Sequence, residues 1–391
     1  MRKMRTAIVL AAIALACPGP EPRAQQSGEF TTRAKNAILM DAESGAVLFQ
    51  QAADELVPPA SMSKLMTLAV LFKALKDGKV RPEDEFMTSE YAWRTGGAPS
   101  GTSAMFVPIN TKARVDELIQ GIIVQSGNDA CIIVAEGLAG NELAFSKQME
   151  DEARRIGLKK STFRNSTGLY HPEHLMTARE LAILARYLIK EYPDRYRIFA
   201  QKEFQYRKHK FYNRNPLLSS SELGVDGLKT GHIKEAGYGM VVSAWNSGRR
   251  LIGVVMGLEN EKVRKDEAQR LLEWGFRSFG EVKLFGADEE VGYARVWGGT
   301  QMYVPLTGKG ELAIVLPRYP ANQKLKAEIV YRGPLKPPIK KGDQVAILRV
   351  TSSANAESQA LLYAAEDVET GSFVRKGLDS LMYLALRKVG L

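Results

Sequence analysis

The spacing of apolar residues changes twice along the chain, and this change constrains the fold more than any other sequence feature. Two short apolar runs, Ala37–Leu39 and Ala46–Phe49, flank a turn and predict a pair of strands. Segments with helical spacing follow as far as Lys190, and strand spacing returns from Val225. A domain that opens and closes with strands and carries helices between them favours an α+β fold, with an antiparallel sheet and helices packed on it.

A second pattern begins at residue 281, where short β-type runs alternate with turns rich in glycine and proline. The runs lie at residues 293–297, 302–305, 312–316, 327–331 and 345–350. Runs of this length with such turns are typical of a separate, small β-sandwich. We therefore expect one domain over residues 35–280 and a β-rich C-terminal domain over residues 281–370.

The N-terminus carries a targeting signal. Three basic residues precede an apolar run, Ala7–Ala16. A basic segment followed by a run of this length is typical of a secretory signal peptide, and the run is too short to span a membrane. We assign residues 1–24 to the signal peptide and the polar residues 25–34 to a linker, so the protein is expected to be exported.

The net charge and the cysteine and histidine content of the chain limit which binding partners and cofactors are expected. The formal net charge is +10, and removal of residues 1–24 leaves about +7. For an exported protein this surplus favours an anionic envelope or membrane surface, and nucleic acid is the less favoured partner. Cys131 is the only cysteine outside the signal segment, so no disulfide framework is expected. The four histidines lack metal-ligand spacing, and we expect no metal or other cofactor.

The C-terminal segment, residues 371–391, has apolar residues at helical spacing, with four basic residues and one acidic residue mostly off the apolar face. A basic amphipathic helix at the end of a chain favours binding in the plane of an anionic membrane. A helix docked on the β-rich domain is the alternative. With export, the first interpretation predicts a periplasmic protein bound peripherally to the outer face of the cytoplasmic membrane.

Ser61 and Lys64 are the first candidate catalytic residues. Two prolines before Ser61 are followed by a run of apolar residues, and this pattern predicts a helix starting near Ser61. Serine is a weak nucleophile unless a base lies within hydrogen-bond reach. Residues three apart share a helix face, so Lys64 can take the Ser61 proton. A lysine that is partly desolvated and near another cation loses its own proton more easily. Taken alone, this S-x-x-K match is more often structural, with the serine as a helix cap.

Two further motifs give the pair a context. Ser126-Gly127-Asn128 supplies a hydroxyl and an amide at a break between two helical segments. Lys229-Thr230-Gly231 ends a predicted strand, where a cation and a hydroxyl can hold a substrate carboxylate and a glycine permits close approach of the substrate backbone. Each motif is weak alone, and S-x-N occurs again at residues 353–355.

The three motifs, in this order, resemble those of β-lactamases and penicillin-binding proteins. The chain closely resembles the low-molecular-mass penicillin-binding proteins that act as D-alanyl-D-alanine carboxypeptidases. The similarity covers residues 35–280 and extends to the flanks of the motifs. These flanks include Gln125–Cys131, Gly168–Leu169, Thr177–Arg179, Asn213–Asn215 and Val225–His232.

The resemblance implies a serine-type carboxypeptidase that removes terminal D-alanine from peptidoglycan stem peptides ending in D-Ala-D-Ala. It also implies acylation by β-lactam antibiotics. Ser61 would be the nucleophile, Lys64 its base and Ser126 a proton relay. The implied substrate-binding residues are Asn128, which would also help to hold Lys64, and Lys229, Thr230, Gly231 and Arg214. The backbone N–H groups of Ser61 and His232 would form the oxyanion hole, while the His232 imidazole has no implied role.

Two alternatives remain at this level. A class A β-lactamase needs a glutamate that activates a deacylating water, but no E-x-x-L-N stretch follows the second motif, and such enzymes lack an extra β domain. A non-catalytic envelope protein could use the β-rich domain for protein contacts. The complete set of Ser61, Lys64, Ser126 and Lys229 argues against that reading.

Overall fold

The computed structural model describes residues 4–8, 30–219, 221–318, 324–353, 357–377 and 379–380. The α-helices among them are α1 Lys64–Lys76, α2 Glu90–Gly96, α3 Val115–Gln120, α4 Asn128–Ala139, α5 Glu142–Ile156, α6 Ala178–Glu191, α7 Pro193–Tyr196 and α8 Glu261–Ser278. The strands are β1 Met4–Ile8, β2 Asn36–Asp41, β3 Val47–Gln51, β4 Glu85–Met87, β5 Lys112–Arg114, β6 Glu203–Tyr206, β7 His209–Tyr212, β8 Val225–Ile233, β9 Gly237–Asn246, β10 Arg249–Leu258, β11 Phe279–Phe285, β12 Glu290–Arg295, β13 Tyr303–Thr307, β14 Leu312–Pro317, β15 Leu325–Tyr331, β16 Gln344–Ser352 and β17 Glu357–Ala364.

The chain divides into two compact units. One is Glu29–Phe276, and the other combines Met1–Gly28 with Arg277–Leu391. The division falls between Phe276 and Arg277, whereas the sequence suggested a boundary at residue 280.

The unit Glu29–Phe276 is built on an antiparallel five-stranded sheet with the order β3-β2-β10-β9-β8. Successive residues of its strands enter different cores, since Ile38 packs in the large helical core and Leu39 packs against α8. Strand residues that alternate between two buried faces indicate a sheet covered on both sides. The expected antiparallel sheet with helices is therefore confirmed.

Helix α1 lies in the centre of this unit. Ten of its thirteen residues are buried, including the polar Lys64 and Thr67. A helix that is apolar on all sides belongs in the interior of a large core, and its few polar side chains need partners there. The apolar sequence of α1 thus places its N-terminal end, which begins at Lys64, inside the protein.

The second unit is rich in β-structure, as expected. One sheet has six strands in the order β1-β15-β16-β17-β13-β12, and β11 pairs with β14 in a second sheet. Strand β16 alternates buried and half-buried residues along most of its length. This period of two is the pattern of a strand with one face on a core.

The structure describes part of the predicted linker and part of the predicted C-terminal helix. Within the predicted linker 25–34, residues 30–34 pack on α8. The Phe30 ring lies 5.0 Å from the Trp274 ring, and Thr32 donates a hydrogen bond to Glu267 at 2.7 Å. In the tail, residues 373–377 and 379–380 are helical, and buried Asp379 accepts a hydrogen bond from the Gly298 N–H at 2.8 Å. The rest of the predicted amphipathic helix lies outside the described residues.

The predicted signal peptide also falls mostly outside the described residues, apart from β1, which pairs with β15. Its removal stays a prediction. Among the residues that the structure describes, no helix has both the length and the apolar character to cross a membrane.

Candidate active site

Ser61 lies in a tight 3-10 turn, Ala60–Ser63, immediately before α1. The sequence predicted a helix beginning near Ser61, and the structure begins the α-helix at Lys64. Within this geometry Lys64 Nζ lies 2.8 Å from Ser61 Oγ, as a base for that hydroxyl must. The i, i+3 spacing therefore brings the predicted nucleophile and base into direct contact.

Lys64 is completely buried, and burial lowers its pKa from 10.5 to about 8. The positive charge of Arg214 acts in the same direction. An apolar environment disfavours the charged ammonium, so a useful fraction of neutral amine exists near neutral pH. When neutral, the amine has a lone pair that can accept the Ser61 proton.

A loop over residues 165–169 holds the far side of the lysine, since Lys64 Nζ also donates to the Thr167 carbonyl. Asn165 shapes this loop, because its Oδ1 accepts from the Thr167 N–H at 3.1 Å and the Gly168 N–H at 2.7 Å. Gly168 has φ +76°, and a Cβ there would lie 2.1 Å from the Ala60 carbonyl oxygen. The loop therefore presses directly onto the turn that carries Ser61.

Sequence reasoning missed the role of Thr167. It noted Gly168 only as part of a resemblance. The pattern of an asparagine followed three residues later by glycine is a turn signal that could have marked the loop. Nothing in the sequence pattern reveals that the Thr167 carbonyl meets a lysine 103 positions earlier.

Ser126 and Lys229 form a second hydroxyl–lysine pair. Lys229 Nζ donates to Ser126 Oγ at 2.8 Å and to the Thr230 carbonyl at 3.2 Å. Ser126 adopts a left-handed backbone conformation with φ 63°, directly after a π-helical segment, Gly121–Gln125. Such a break in a helix is frequent at functional sites and here turns the hydroxyl toward β8.

Lys229 is only 2% exposed. Burial lowers its pKa well below the ordinary value, and the charges of Lys64 and Arg214 lower it further. Two lysines whose charges repel each other in an apolar site cannot both be fully ionised without a counter-charge. The site is therefore short of negative charge and suited to an anionic ligand.

Gly231 has a packing role that the sequence did not suggest. A Cβ at this position would lie 3.0 Å from the Pro59 carbonyl oxygen and 3.2 Å from the Ala60 Cβ. A side chain at this position would need the Ser61 turn to shift by a few tenths of an ångström, so the glycine favours the close approach of β8 to that turn. Its neighbour Thr230 is buried on the same strand, so the K-T-G motif borders the nucleophile.

Asn128 and Arg214 are linked through a loop at residues 102–103. Asn128 Nδ2 donates to Thr102 Oγ1 at 2.9 Å, and Arg214 Nη1 donates to Ser103 Oγ at 2.8 Å. The Asn128 side chain is thus held by Thr102 rather than by Lys64, which differs from the expected arrangement. Its Oδ1 is buried and has no hydrogen-bond partner among the described residues, so it remains free to accept from a ligand.

The His232 side chain is exposed, and its ring stacks on Tyr238 with 3.9 Å between the ring centroids. The two residues face each other across the β8–β9 pair. The imidazole thus lies on the face of the sheet against Tyr238 and takes no part in the two lysine pairs.

Comparison with known proteins gives consistent matches. The sequence model of the D-alanyl-D-alanine carboxypeptidase family matches residues 22–260, and that of the penicillin-binding protein 5 C-terminal domain matches residues 279–370. The D-alanyl-D-alanine carboxypeptidase DacC of Escherichia coli (strain K12) is 40% identical over 348 residues, which is 88% of this chain and 86% of that protein.

Solved structures agree with these matches. Penicillin-binding protein 5 from Haemophilus influenzae superposes with a TM-score of 0.77 at 35% identity, covering 87% of this chain and 99% of its own. Penicillin-binding protein D2 from Listeria monocytogenes, in its ampicillin-bound form, superposes with a TM-score of 0.55 at 27% identity, covering 63% and 99%. The first family match spans more than half of the sequence, and the carboxypeptidase from Escherichia coli matches along nearly its whole length. The chain therefore belongs to the D-alanyl-D-alanine carboxypeptidase family.

Proposed function

We propose that this protein hydrolyses the terminal D-Ala-D-Ala bond of peptidoglycan stem peptides through an acyl-enzyme on Ser61. The observation that carries the proposal is the 2.8 Å contact between Ser61 Oγ and a fully buried Lys64 whose pKa is about 8. A serine hydroxyl with a neutral amine at this distance is an activated nucleophile that needs neither a histidine nor a metal.

In the acylation step, Ser61 Oγ attacks the carbonyl of the penultimate D-alanine while its proton passes to Lys64. The backbone N–H groups of Ser61 and His232 would stabilise the oxyanion. The amide bond then breaks, and Ser126, which is bonded to Lys229, delivers a proton to the departing D-alanine nitrogen. Ser126 regains its proton from the Lys64 ammonium. Water then attacks the ester carbonyl and gives one proton to Lys64, which passes it to Ser61 Oγ as the C–O bond breaks and the shortened peptide leaves.

The substrate carboxylate would supply the negative charge that the site lacks. Lys229, Thr230 and Arg214 would bind the carboxylate of the terminal D-alanine, with Asn128 Oδ1 accepting from the substrate backbone. An incoming carboxylate raises the pKa of Lys229 by direct attraction, so binding restores the ammonium and strengthens the ion pair. A β-lactam carries a carboxylate and a reactive carbonyl in the same relation, which supports acylation of Ser61 by penicillins.

We propose further that the protein is exported to the periplasm and that its C-terminal segment binds the outer face of the cytoplasmic membrane. The basic amphipathic pattern of residues 371–391 supports this proposal. Deletion of residues 371–391 should move the protein from the membrane fraction to the soluble fraction. Continued membrane binding of the truncated protein would refute the assignment.

The function is tested with a synthetic peptide ending in D-Ala-D-Ala. We expect release of D-alanine by the wild-type protein and none by Ser61→Ala, with fluorescent penicillin attached to Ser61 in the wild type only. Absence of release, or equal release by Ser61→Ala, would contradict the proposal. Rapid turnover of nitrocefin in place of a long-lived penicilloyl adduct would instead indicate a β-lactamase.

A further inference from the structure

A run of basic and aromatic residues leads along the chain into Arg214 at the active site. Between residues 202 and 214 the chain has five lysine or arginine residues and a single acidic residue. The run forms β6, β7 and the turn between them, with Arg214 two residues beyond β7. We call residues 202–214 the basic hairpin.

The two faces of the basic hairpin differ. Phe204, Tyr206 and Phe211 are buried on one face, while Lys202, Arg207, Lys208 and Lys210 are exposed. Lys210 pairs with Glu203 at 2.9 Å. Within the described part of the chain, no carboxylate lies within 4 Å of the charged groups of Lys202, Arg207 or Lys208. The exposed edge and turn therefore hold positive charge that the protein itself leaves unbalanced.

The basic hairpin is fixed to the active site through its buried face. The Phe106 ring lies 5.0 Å from the His209 ring and 6.2 Å from the Phe211 ring. Strands β6 and β7 both pack on Gly121–Gln125, the segment that ends at Ser126. At the far end, Asn213 donates to the carbonyls of Phe199 and Gln201, which holds the backbone next to Arg214.

We propose that the basic hairpin is a recognition surface for the carboxylate-rich part of the peptidoglycan substrate and raises the rate at which anionic peptides enter the site. The inference rests on the proposed function, since it concerns which peptides ending in D-Ala-D-Ala are preferred. An anionic membrane is the other class of partner for exposed lysines. The substrate is favoured, because the hairpin packs on the segment before Ser126 and leads directly into Arg214.

Electrostatic steering makes the inference quantitative. Charged surfaces beside a site raise association rates by about tenfold or more at low salt, and the effect disappears when the screening length falls to about 3 Å. A peptide with two free side-chain carboxylates upstream of D-Ala-D-Ala should be a better substrate than the same peptide with those groups as amides. The difference should shrink as salt is added.

The test uses the full-length protein and the double variant Arg207→Glu, Lys208→Glu, with Lys147→Glu, Lys159→Glu as a control of equal charge change. Lys147 and Lys159 are exposed residues of the same structural unit. For the carboxylate-bearing peptide at low salt, we expect the hairpin variant to lower kcat/KM about fivefold, and the control less than twofold. With the amidated peptide, which keeps only its terminal carboxylate, the loss in the hairpin variant should be smaller, and at about 1 M salt both variants should match the wild type.

Several results would overturn the inference. An equal loss for both peptides would mean that the hairpin variant disturbs the site itself, and an equal loss in the control would mean that only net charge matters. Unchanged kcat/KM with loss of binding to phosphatidylglycerol vesicles would assign the hairpin to the membrane. If the wild type releases D-alanine from neither peptide, the proposed function fails as well, whereas release from the amidated peptide alone leaves that function intact.

Discussion

The pH dependence of Ser61 acylation tests the central contact of the site. If Lys64 accepts the Ser61 proton, the rate should follow the fraction of neutral amine. With a pKa of about 8, about a tenth of Lys64 is neutral at pH 7, and about nine-tenths at pH 9. At the ordinary value of 10.5, only about 0.03% would be neutral at pH 7, so burial increases the active fraction about 300-fold.

The assay is the second-order rate of labelling by a fluorescent penicillin between pH 6 and pH 10. The penicillin carboxylate and the Ser61 hydroxyl do not titrate in this window, so the enzyme sets the profile. We expect a single rising limb of about tenfold per pH unit below pH 8, levelling off above it. A profile that is flat, or that rises only near pH 10, would refute a role for Lys64 as the buried base.

Lys229 is the necessary control because its pKa is also lowered. The variant Lys229→Gln removes that titration and keeps a hydrogen-bonding group beside Ser126. Labelling should become slower at every pH, since the carboxylate clamp is weakened. The rising limb should persist, with its midpoint unchanged or moved to higher pH, because one charge that repels the Lys64 ammonium is gone. If the limb vanishes in Lys229→Gln, the titrating base is Lys229, and the assignment to Lys64 is wrong.

Three further changes test the site. Lys64→Met should abolish labelling yet raise the free energy of unfolding at pH 7 by ~1–3 kcal/mol in denaturant titrations. The reason is that a pKa of about 8 at a fully buried amine reflects a cost of ~3 kcal/mol for holding the charged form. A marked loss of stability would contradict this. Gly231→Ala should slow labelling and cost ~1–3 kcal/mol, because its Cβ would lie 3.0 Å from the Pro59 carbonyl oxygen, and wild-type labelling would refute the packing role. Asn165→Ala should shift the midpoint of the labelling profile, because the Thr167 carbonyl is no longer held against the amine, while an unchanged midpoint would dissociate the loop from the base.

Local patterns in the sequence were enough to find the strands around the turn at Asp41 and the helix after Ser61. They were also enough to pair Ser61 with Lys64, because residues three apart on a helix must be neighbours. The pairing of Ser126 with Lys229 is different, since 103 residues separate them. The resemblance between motifs implied only that Ser126 and Lys229 belong to one site, and the spacing of residues alone could not have supplied their contact.

Features that depend on tertiary packing were missed for the same reason. The polar residues before Ala34 suggested a linker, but Phe30 finds an aromatic partner on α8 that lies far away in sequence. Gly231 suggested room for substrate, but its closest neighbours belong to the Ser61 turn. In each case the residue type was informative, while the partner depended on chain segments that meet only in the folded state.

The two buried lysines explain why the fold and the chemistry belong together. A core helix such as α1 excludes water, and this exclusion lowers the Lys64 pKa into a useful range. The same exclusion makes the charged form of each lysine unfavourable, so the free protein lacks the negative charge that would balance Lys64 and Lys229. A bound ligand carboxylate supplies that negative charge. The unbalanced positive charges that destabilise the free enzyme thus also make it selective for an anionic peptide terminus. A substrate whose terminal carboxylate is amidated should therefore lose most of its kcat/KM while still fitting the site.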